Sequence, residues 1–212
     1  MEDKETGRLE AFSDGVFAVA ITLLILNIQP PHDFPLDDLT LLSKLLDQWP
    51  NYLAFVASFA TIGVMWVNHH RLFTHIKHTD NALLGLNLLL LLVIVFIPFP
   101  TALLAQYAVY PDKHVAALLY TGTSVIMAIC FYLLWRYASY HNRLLDKKAD
   151  PHAVKAITNQ YRFGPLVYLI VFAVAWFSAP VSIALILLLA LYFALPSRRP
   201  RPQPENEPRL ED

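Results

Sequence analysis

The sequence has little charge and one cysteine, and each shortage excludes a class of protein. Only 16% of the 212 residues are charged and 56% are hydrophobic, whereas soluble domains carry about 25% charged residues. The single cysteine, Cys130, excludes an intramolecular disulfide and a zinc site built on cysteines. This composition indicates a protein that crosses a membrane several times.

Sequence motifs of enzymes and of nucleic-acid-binding proteins are missing as well. The chain has no GxSxG nucleophile motif, no phosphate-binding P-loop and no Rossmann glycine pattern, so we predict that it is not an enzyme. Its basic residues form no stripe interleaved with aromatic side chains, which argues against nucleic acid as a partner. The histidines His69, His70, His75 and His78 lack the carboxylate motif of helical metal sites, and we predict no metal and no cofactor.

Six apolar segments are long enough to be considered as membrane helices, which need about 20 residues to span a bilayer. They cover residues 12–28, 49–72, 82–107, 114–140, 163–178 and 181–195. The last two are short and meet at Ala179-Pro180, which predicts a tight helical hairpin. We therefore predict an all-α membrane protein with a six-helix transmembrane domain over residues 1–195 and a disordered cytoplasmic tail over 196–212.

The distribution of positive charge predicts the orientation of these segments. Of the 16 lysines and arginines, only Lys44 and Lys113 fall in the loops of one side, and Arg136 falls inside the fourth segment. All the others lie on the opposite side, so the positive-inside rule puts both termini in the cytoplasm. Residues 29–48 then form an acidic external loop with a short amphipathic helix over 36–46, and residues 142–162 form a polar cytoplasmic loop.

Polar residues lead directly into the first apolar segment. Arg8, Ser13 and Asp14 precede a run of mostly apolar residues, and a charged group at the centre of a membrane helix costs about 2.5–3.5 kcal/mol on insertion scales. Asp14 therefore needs a partner, and a network with polar residues of other helices would satisfy it. The candidates are Trp66, His69, His70 and Asn87. A structural network and a proton relay through Asp14 and the histidines both remain possible interpretations.

A helical wheel divides the first segment into three stripes. One stripe holds Phe12, Gly15, Val19, Thr22, Leu23 and Leu26; the second holds Asp14, Ala18, Ile21 and Ile25; the third holds Ser13, Phe17, Ala20, Leu24 and Asn27. In a symmetric oligomer the first stripe would form apolar rings with one ring of hydroxyl groups, and such rings gate a pore by dewetting. Ordinary packing between helices is the alternative.

The pattern R-x-x-x-F-S-D over residues 8–14 resembles the signature of the transmembrane protein 175 family. Members of this family are potassium channels of animal endosomes and lysosomes, with shorter homologues in bacteria and archaea. The similarity continues through residues 15–24, and residues 66–70 (WVNHH) resemble the second helix of the family. The filter sequence TVGYG of other potassium channels is absent.

The resemblance implies a potassium-selective or potassium-preferring channel in the plasma membrane of a prokaryote. A chain with one six-helix unit would form a homotetramer in the lipid bilayer, with potassium as the permeant ion and the first helix around a central pore. The implied pore residues are Val19 at the narrowest apolar layer, Leu23 and Leu26 at further layers, and Thr22 at the hydroxyl position linked to potassium preference.

The resemblance also implies a network that holds the pore helix in place. Arg8, Ser13 and Asp14 belong to this network, with His69 or His70 and with Asn87 as partners. Two other functions remain as alternatives from the residues alone. One is a proton-coupled transporter that uses Asp14 and the histidines, although the broken helices and internal repeats of many transporters are not evident. The other is a non-conducting membrane assembly protein.

Overall fold

The computed structural model describes residues 3–31, 37–107, 110, 114–146 and 149–194. Within these ranges the secondary structure is helical, apart from an isolated antiparallel β-bridge between Ile76 and Leu145. The predicted all-α fold is therefore confirmed for the described part of the chain. The predicted tail over 196–212 lies outside the described residues.

Nine α-helices follow one another in the described part of the chain. They are α1 (Asp3–Leu23), α2 (Asp38–Asp47), α3 (Trp49–His75), α4 (Asn81–Phe96), α5 (Pro98–Tyr107), α6 (His114–Ser139), α7 (Pro151–Arg162), α8 (Gly164–Ala175) and α9 (Ala179–Ala194). Among the described residues, four helical stretches are long and apolar enough to cross a membrane: Thr6–Asn27, Trp49–His75, Asn81–Tyr107 and His114–Asn142. These four correspond to the first four predicted segments.

The fifth and sixth predicted segments contain the hairpin of α8 and α9. These helices have 12 and 16 residues, fewer than the roughly 20 that usually cross a bilayer. They pack on each other and on α6, which confirms the hairpin. Six membrane crossings remain a prediction.

Two of the long segments depart from regular α-helical geometry near their outer ends. After Leu23, α1 tightens into a 3₁₀ turn over Leu24–Asn27. The third segment breaks at Ile97 between α4 and α5, because Pro98 and Pro100 have no N–H to continue the helical ladder. The helical hydrogen bonds resume where the Thr101 N–H donates to the Ile97 carbonyl over 3.1 Å.

The polar stretch after α6 contains a helix where we expected only a loop. Asp150 caps α7 by accepting a hydrogen bond from the His152 N–H over 2.9 Å, and Pro151 occupies the first turn. Val154, Ile157 and Tyr161 then pack against the core at helical spacing. The expectation of a loop over 142–162 was wrong because these apolar residues are separated by polar ones and carry no membrane signal.

The amphipathic helix expected over 36–46 is confirmed as α2. The Asp37 carboxylate accepts a hydrogen bond from the Thr40 N–H over 3.2 Å at the start of this helix, and no residue of α2 is buried. We call the end of the bundle that holds α2 and the 3₁₀ turn after α1 the outer end. The opposite end, where α1 begins and α3 finishes, is called the inner end.

The main core lies between α1, α3, α4 and α6, with α7 against it at the inner end. Phe17, Ala20 and Leu24 of α1 contribute to it, together with Ile62 of α3 and Leu90 of α4. A second, smaller core joins α5 and α6 to the α8–α9 hairpin. This arrangement holds α1 against α3 and α4.

Candidate pore helix and its support

Helix α1 is buried along one stripe only. The third stripe of the sequence wheel faces the core, where Ser13, Phe17, Ala20 and Leu24 are at most 1% exposed. The stripe expected to line a pore faces outward, with Val19 54%, Leu23 38% and Leu26 65% exposed. The fold of a single chain therefore uses none of these three residues to build its main core.

The hydroxyl group of Thr22 lies on the same outward face of α1. It donates a hydrogen bond to the Val19 carbonyl of its own helix over 2.9 Å. Because that bond uses the hydroxyl proton, the lone pairs of Oγ1 stay available to an outside partner. Val19 and Leu23 stand one helical turn apart, which corresponds to about 6 Å along the helix.

A buried polar network joins α1 to α4 and α3. Ser13 Oγ donates to the Leu9 carbonyl over 2.8 Å and accepts a hydrogen bond from Asn87 Nδ2 over 3.0 Å. Asn87 Oδ1 in turn lies 2.9 Å from His69 Nε2. Since an amide oxygen can only accept, the His69 ring must carry a proton on Nε2. Ser13, His69 and Asn87 are at most 1% exposed.

Aromatic rings fix the position of His69 in this network. Its ring lies 4.5 Å from that of Phe73 in a stacked arrangement and 5.4 Å from that of Phe17 in a tilted one. Phe17 belongs to the buried stripe of α1, so the histidine contacts the candidate pore helix by packing as well as through hydrogen bonds. The network thus specifies how α1 is rotated against α3 and α4.

Asp14 forms a separate pair near the protein surface. Trp66 Nε1 donates to Asp14 Oδ1 over 2.8 Å, and the Trp66 ring stacks on that of His70 with 6.2 Å between centroids. Asp14, Trp66 and His70 are all exposed in the single chain. The structure therefore divides the expected network into a buried part around Asn87 and an exposed part around Asp14.

Arg8 joins neither part of the network. Its side chain is exposed, and among the described residues it has no hydrogen-bond or ion-pair partner. Metal sites are also not evident: within the described ranges, no three histidine, cysteine, aspartate or glutamate side chains are grouped so that they could hold an ion.

Sequence reasoning missed a polar junction at the inner end. Asp80 caps α4 by accepting from the Leu83 N–H over 2.9 Å. It also accepts from Tyr137 Oη over 2.6 Å and faces Arg143 Nη2 at 3.3 Å. Partial desolvation opposes ionisation, but these hydrogen bonds and the arginine lower the pKa of Asp80 below its ordinary value. The Asp-Asn step before an apolar run signals the cap, but nothing in the sequence signals Tyr137 or Arg143.

Known proteins are similar to this chain over most of its length. The sequence model of the family described as "Endosomal/lysosomal potassium channel TMEM175" matches residues 8–98, which include most of α1 and all of α3 and α4. A potassium channel of Chamaesiphon minutus is 53% identical over 196 residues, covering 92% of this chain and 97% of that protein. A potassium channel of Streptomyces collinus is 46% identical over 192 residues, covering 89% and 91%.

Solved structures and animal proteins extend the comparison. The crystal structure of a "lysosomal potassium-selective channel TMEM175 homolog" from Chamaesiphon minutus has a TM-score of 0.81 and 50% identity, covering 90% of this chain and 97% of that one. The chicken "endosomal/lysosomal proton channel TMEM175" is 34% identical over 143 residues, which are 64% of this chain and 28% of that protein. Identity above one half with a bacterial relative that is covered almost completely shows that this chain belongs to the TMEM175 family.

Proposed function

We propose that this protein is a potassium channel in which four copies place the outward face of α1 around a shared pore. The relatives from Chamaesiphon minutus and Streptomyces collinus are named potassium channels and are similar over about nine tenths of this chain. Val19, Thr22, Leu23 and Leu26 are the proposed pore residues. Assembly of four copies and these residue roles are part of the proposal.

The observation that carries the proposal is the one-sided burial of α1. Its core-facing residues Ser13, Phe17, Ala20 and Leu24 are buried, while Val19, Leu23 and Leu26 remain exposed on the opposite side. That outward face also carries the Thr22 hydroxyl, which gains nothing from contact with lipid chains. An axis shared by the copies would explain both exposed groups. The apolar side chains would form rings around it, and the hydroxyl group would face a permeating ion.

Permeation in this arrangement follows from the chemistry of the rings. An ion that passes the apolar rings of Val19 and Leu23 must shed part of its water, and narrow apolar rings empty of water abruptly. Thr22 lies between these two layers, with its hydroxyl proton bound to the Val19 carbonyl. Four oxygen atoms would then replace part of the lost hydration. A small rotation or approach of α1 would close the pore.

The proposed arrangement in the membrane has six crossings, with both termini in the cytoplasm of a prokaryotic cell and the channel in its plasma membrane. Four crossings rest on the long apolar stretches. The other two rest on α8 and α9, whose hairpin packs on α6. Because α8 has only 12 residues, we expect the bilayer to be thinner beside the hairpin.

A proton-conducting role is the second candidate, because animal relatives are named proton channels. The contacts of His69 argue against a relay through the core: its Nε2 is bound to Asn87 and its ring packs against the rings of Phe17 and Phe73. Asp14 is bound to Trp66. The His69 ring and the Asp14 carboxylate therefore both have structural partners, and we propose that their role is to hold α1 in place.

The experiment is an ion-flux assay on purified protein in liposomes that carry either a potassium gradient or a proton gradient. Potassium flux without saturable coupling to protons supports the potassium channel, and proton flux without potassium flux supports the proton channel. Proton-driven exchange supports the transporter, and no flux supports an assembly protein. The pore residues are tested by Val19→Cys in a Cys130→Ala background, since Cys130 is the single native cysteine.

A water-soluble thiol reagent should block potassium flux through Val19→Cys. Leu191→Cys on α9 is the matched control, because Leu191 is also apolar and is 64% exposed in the single chain. We expect its flux to be unchanged by the reagent. Equal responses of the two variants would remove α1 from the conduction path.

A further inference from the structure

Helix α6 presents a continuous apolar face on the outside of the chain. Ile126, Ile129 and Leu133 are 52%, 39% and 40% exposed, and their spacing places them on one side of the helix. Arg136 and Tyr140 continue the same side toward the inner end, and both are exposed. We call these five residues the α6 stripe. It changes from apolar to cationic within one helical turn.

The position of Arg136 along α6 matches the edge of a bilayer. Helix α6 starts at the outer end with His114, and the exposed Val115 follows. Val115 and Arg136 are separated by about 32 Å along the helix axis, while the hydrocarbon core of a bilayer is about 30 Å thick. Arg136 therefore lies where the lipid headgroups of the inner leaflet begin, a depth at which arginine and tyrosine side chains are typical anchors.

The guanidinium group of Arg136 is held in place without being neutralised. Its Cζ atom lies 4.7 Å from the centre of the Tyr140 ring, a cation–π contact that fixes the group and leaves its N–H donors available. Among the described residues Arg136 has no ion-pair partner, because the nearby Asp80 carboxylate faces Arg143 instead. A cation at the edge of the hydrocarbon core favours an anion beside it.

Arg143 adds a second cationic group at the same end of α6. Its Cζ atom lies 5.1 Å from the centre of the Tyr137 ring, and its Nη2 atom lies 3.3 Å from Asp80 Oδ2. Arg136, Arg143 and Asp80 together carry a net charge of about +1 at neutral pH. Basic groups between membrane helices on the cytoplasmic side are suited to anionic lipid headgroups.

The apolar part of the α6 stripe leads into a groove between α4 and α6. The groove has a volume of about 460 Å³, and Leu92 and Phe96 of α4 face Gly122 and Ile126 of α6 across it. Its one polar lining residue, Thr123, donates its hydroxyl proton to a carbonyl of its own helix over 2.8 Å. The groove is therefore suited to a hydrocarbon chain.

The distance between the cation and the groove fits one leaflet. Ile126 lies about 15 Å from Arg136 along the helix axis, which is half the thickness of the hydrocarbon core. An acyl chain whose headgroup lies at Arg136 would thus follow Leu133 and Ile129 and end at the inner edge of the groove.

We propose that the α6 stripe binds an anionic phospholipid of the inner leaflet, with the lipid phosphate at Arg136 and one acyl chain along Leu133, Ile129 and Ile126. The phosphate accepts charge-assisted hydrogen bonds from the guanidinium group. A zwitterionic headgroup carries a cation of its own that competes for the phosphate, so the site prefers lipids with a net negative charge. The inference uses the proposed orientation in the membrane and does not depend on potassium conduction.

The test is native mass spectrometry of the protein in detergent, titrated with phosphatidylglycerol or with phosphatidylcholine of the same acyl chains. The unaltered protein should bind phosphatidylglycerol more tightly. Arg136→Gln should lower this preference about fivefold, the factor that corresponds to about 1 kcal/mol for one arginine near an anionic lipid surface.

Two controls separate the site from general attraction between charges. Lys155→Gln removes the same charge from an exposed position of α7 at the inner end and should leave the preference unchanged. Dihexanoyl-phosphatidylglycerol has the same headgroup, but its chains are too short to reach Ile126. It should compete poorly with the long-chain lipid.

A second variant covers the case in which Arg136→Gln does not assemble. Tyr140→Leu removes the ring that holds the guanidinium group at 4.7 Å and keeps the positive charge. Because an exposed cation–π contact contributes about 0.5–1 kcal/mol, the preference for phosphatidylglycerol should fall about two- to fivefold.

An equal preference for phosphatidylglycerol in the unaltered protein and in Arg136→Gln would overturn the lipid site. Weaker assembly of Arg136→Gln with an unchanged preference would overturn it as well, since a neighbouring subunit would then cover the α6 stripe. Equal competition by the dihexanoyl lipid would overturn the docking of the acyl chain. A preference that depends on Arg136 in a protein that conducts no potassium would overturn the proposed function and leave the lipid site intact.

Discussion

The network around Asn87 offers a quantitative test of how α1 is held. Asn87→Leu replaces the amide with an apolar side chain of similar size and removes two hydrogen bonds between helices. His69 Nε2 then loses its acceptor at 2.9 Å. Ser13 Oγ loses its donor at 3.0 Å but keeps its bond to the Leu9 carbonyl.

Two magnitudes bracket the expected loss of stability. A buried polar group left without a partner costs about 1–3 kcal/mol, whereas interhelical hydrogen bonds in a membrane protein average about 0.6 kcal/mol. The second value is lower because polar groups of the membrane-embedded unfolded state also find partners. With two bonds lost and His69 left unpaired, we expect Asn87→Leu to lower the free energy of unfolding by about 1–3 kcal/mol.

A double-mutant cycle separates the network from general packing. Ser13→Ala alone should cost about 0.5–1 kcal/mol, because it leaves Asn87 Nδ2 without its acceptor. Combined with Asn87→Leu, it should add almost nothing, so the two losses fall short of additivity by about 0.5 kcal/mol or more. The assay is equilibrium unfolding in detergent micelles, followed by helix content.

Thr121→Val is the matched control for this cycle. Thr121 is as buried as Ser13, but its hydroxyl bonds only to carbonyls of its own helix, at 2.7 Å from Ala117. We expect a change within about 0.5 kcal/mol. Additive losses for Ser13 and Asn87, or an equal loss in the control, would refute the idea that these hydrogen bonds hold α1.

Three further predictions concern the pore and the inner end. Val19→Asn should raise potassium leak and weaken the preference among ions in liposome flux, because a polar ring stays wet; unchanged conductance and selectivity would remove Val19 from the pore. Asp14→Ala should reduce the yield of assembled protein on size-exclusion chromatography before it alters conduction, since it leaves the Trp66 N–H unpaired; a normal assembly with altered selectivity would reverse that assignment. Asp80→Asn should lower the melting temperature at pH 7 by weakening the pair with Arg143. Because the folded pKa of Asp80 is depressed, this stabilisation exists above the ordinary carboxyl pKa of about 3.9 and fades as the pH falls below it. Melting curves of the two proteins should therefore converge at low pH, and a constant difference down to about pH 2 would contradict the role of the charge.

Periodicity predicts which residues of α1 share a face, because a helix of known pitch allows few groupings. The wheel isolates one stripe that holds Ser13, Phe17, Ala20, Leu24 and Asn27. The structure buries the first four of these residues and half-buries Asn27. The wheel does not say which of the three stripes faces the core. That choice depends on Asn87 and other residues of α3 and α4, whose register against α1 is not written in local spacing.

Pairings between distant residues mark the limit of sequence reasoning here. The sequence identifies Trp66 and Asn87 as candidate partners. It does not tell that Trp66 binds Asp14 and that Asn87 binds Ser13. The junction of Asp80 with Tyr137 and Arg143 was missed because 57 residues separate the first two. Helix α7 was missed for another reason: its apolar residues follow an amphipathic pattern rather than a continuous run.

The separation along the chain between Ser13 and Asn87 has a consequence for biosynthesis. The two residues are 74 positions apart, and ribosomes add about 5–20 residues per second. Ser13 on the leading helix is therefore made roughly 4–15 seconds before its amide partner. Until Asn87 has been made, the leading helix lacks the hydrogen bond that joins Ser13 to α4, so its final rotation is chosen when the later helices arrive.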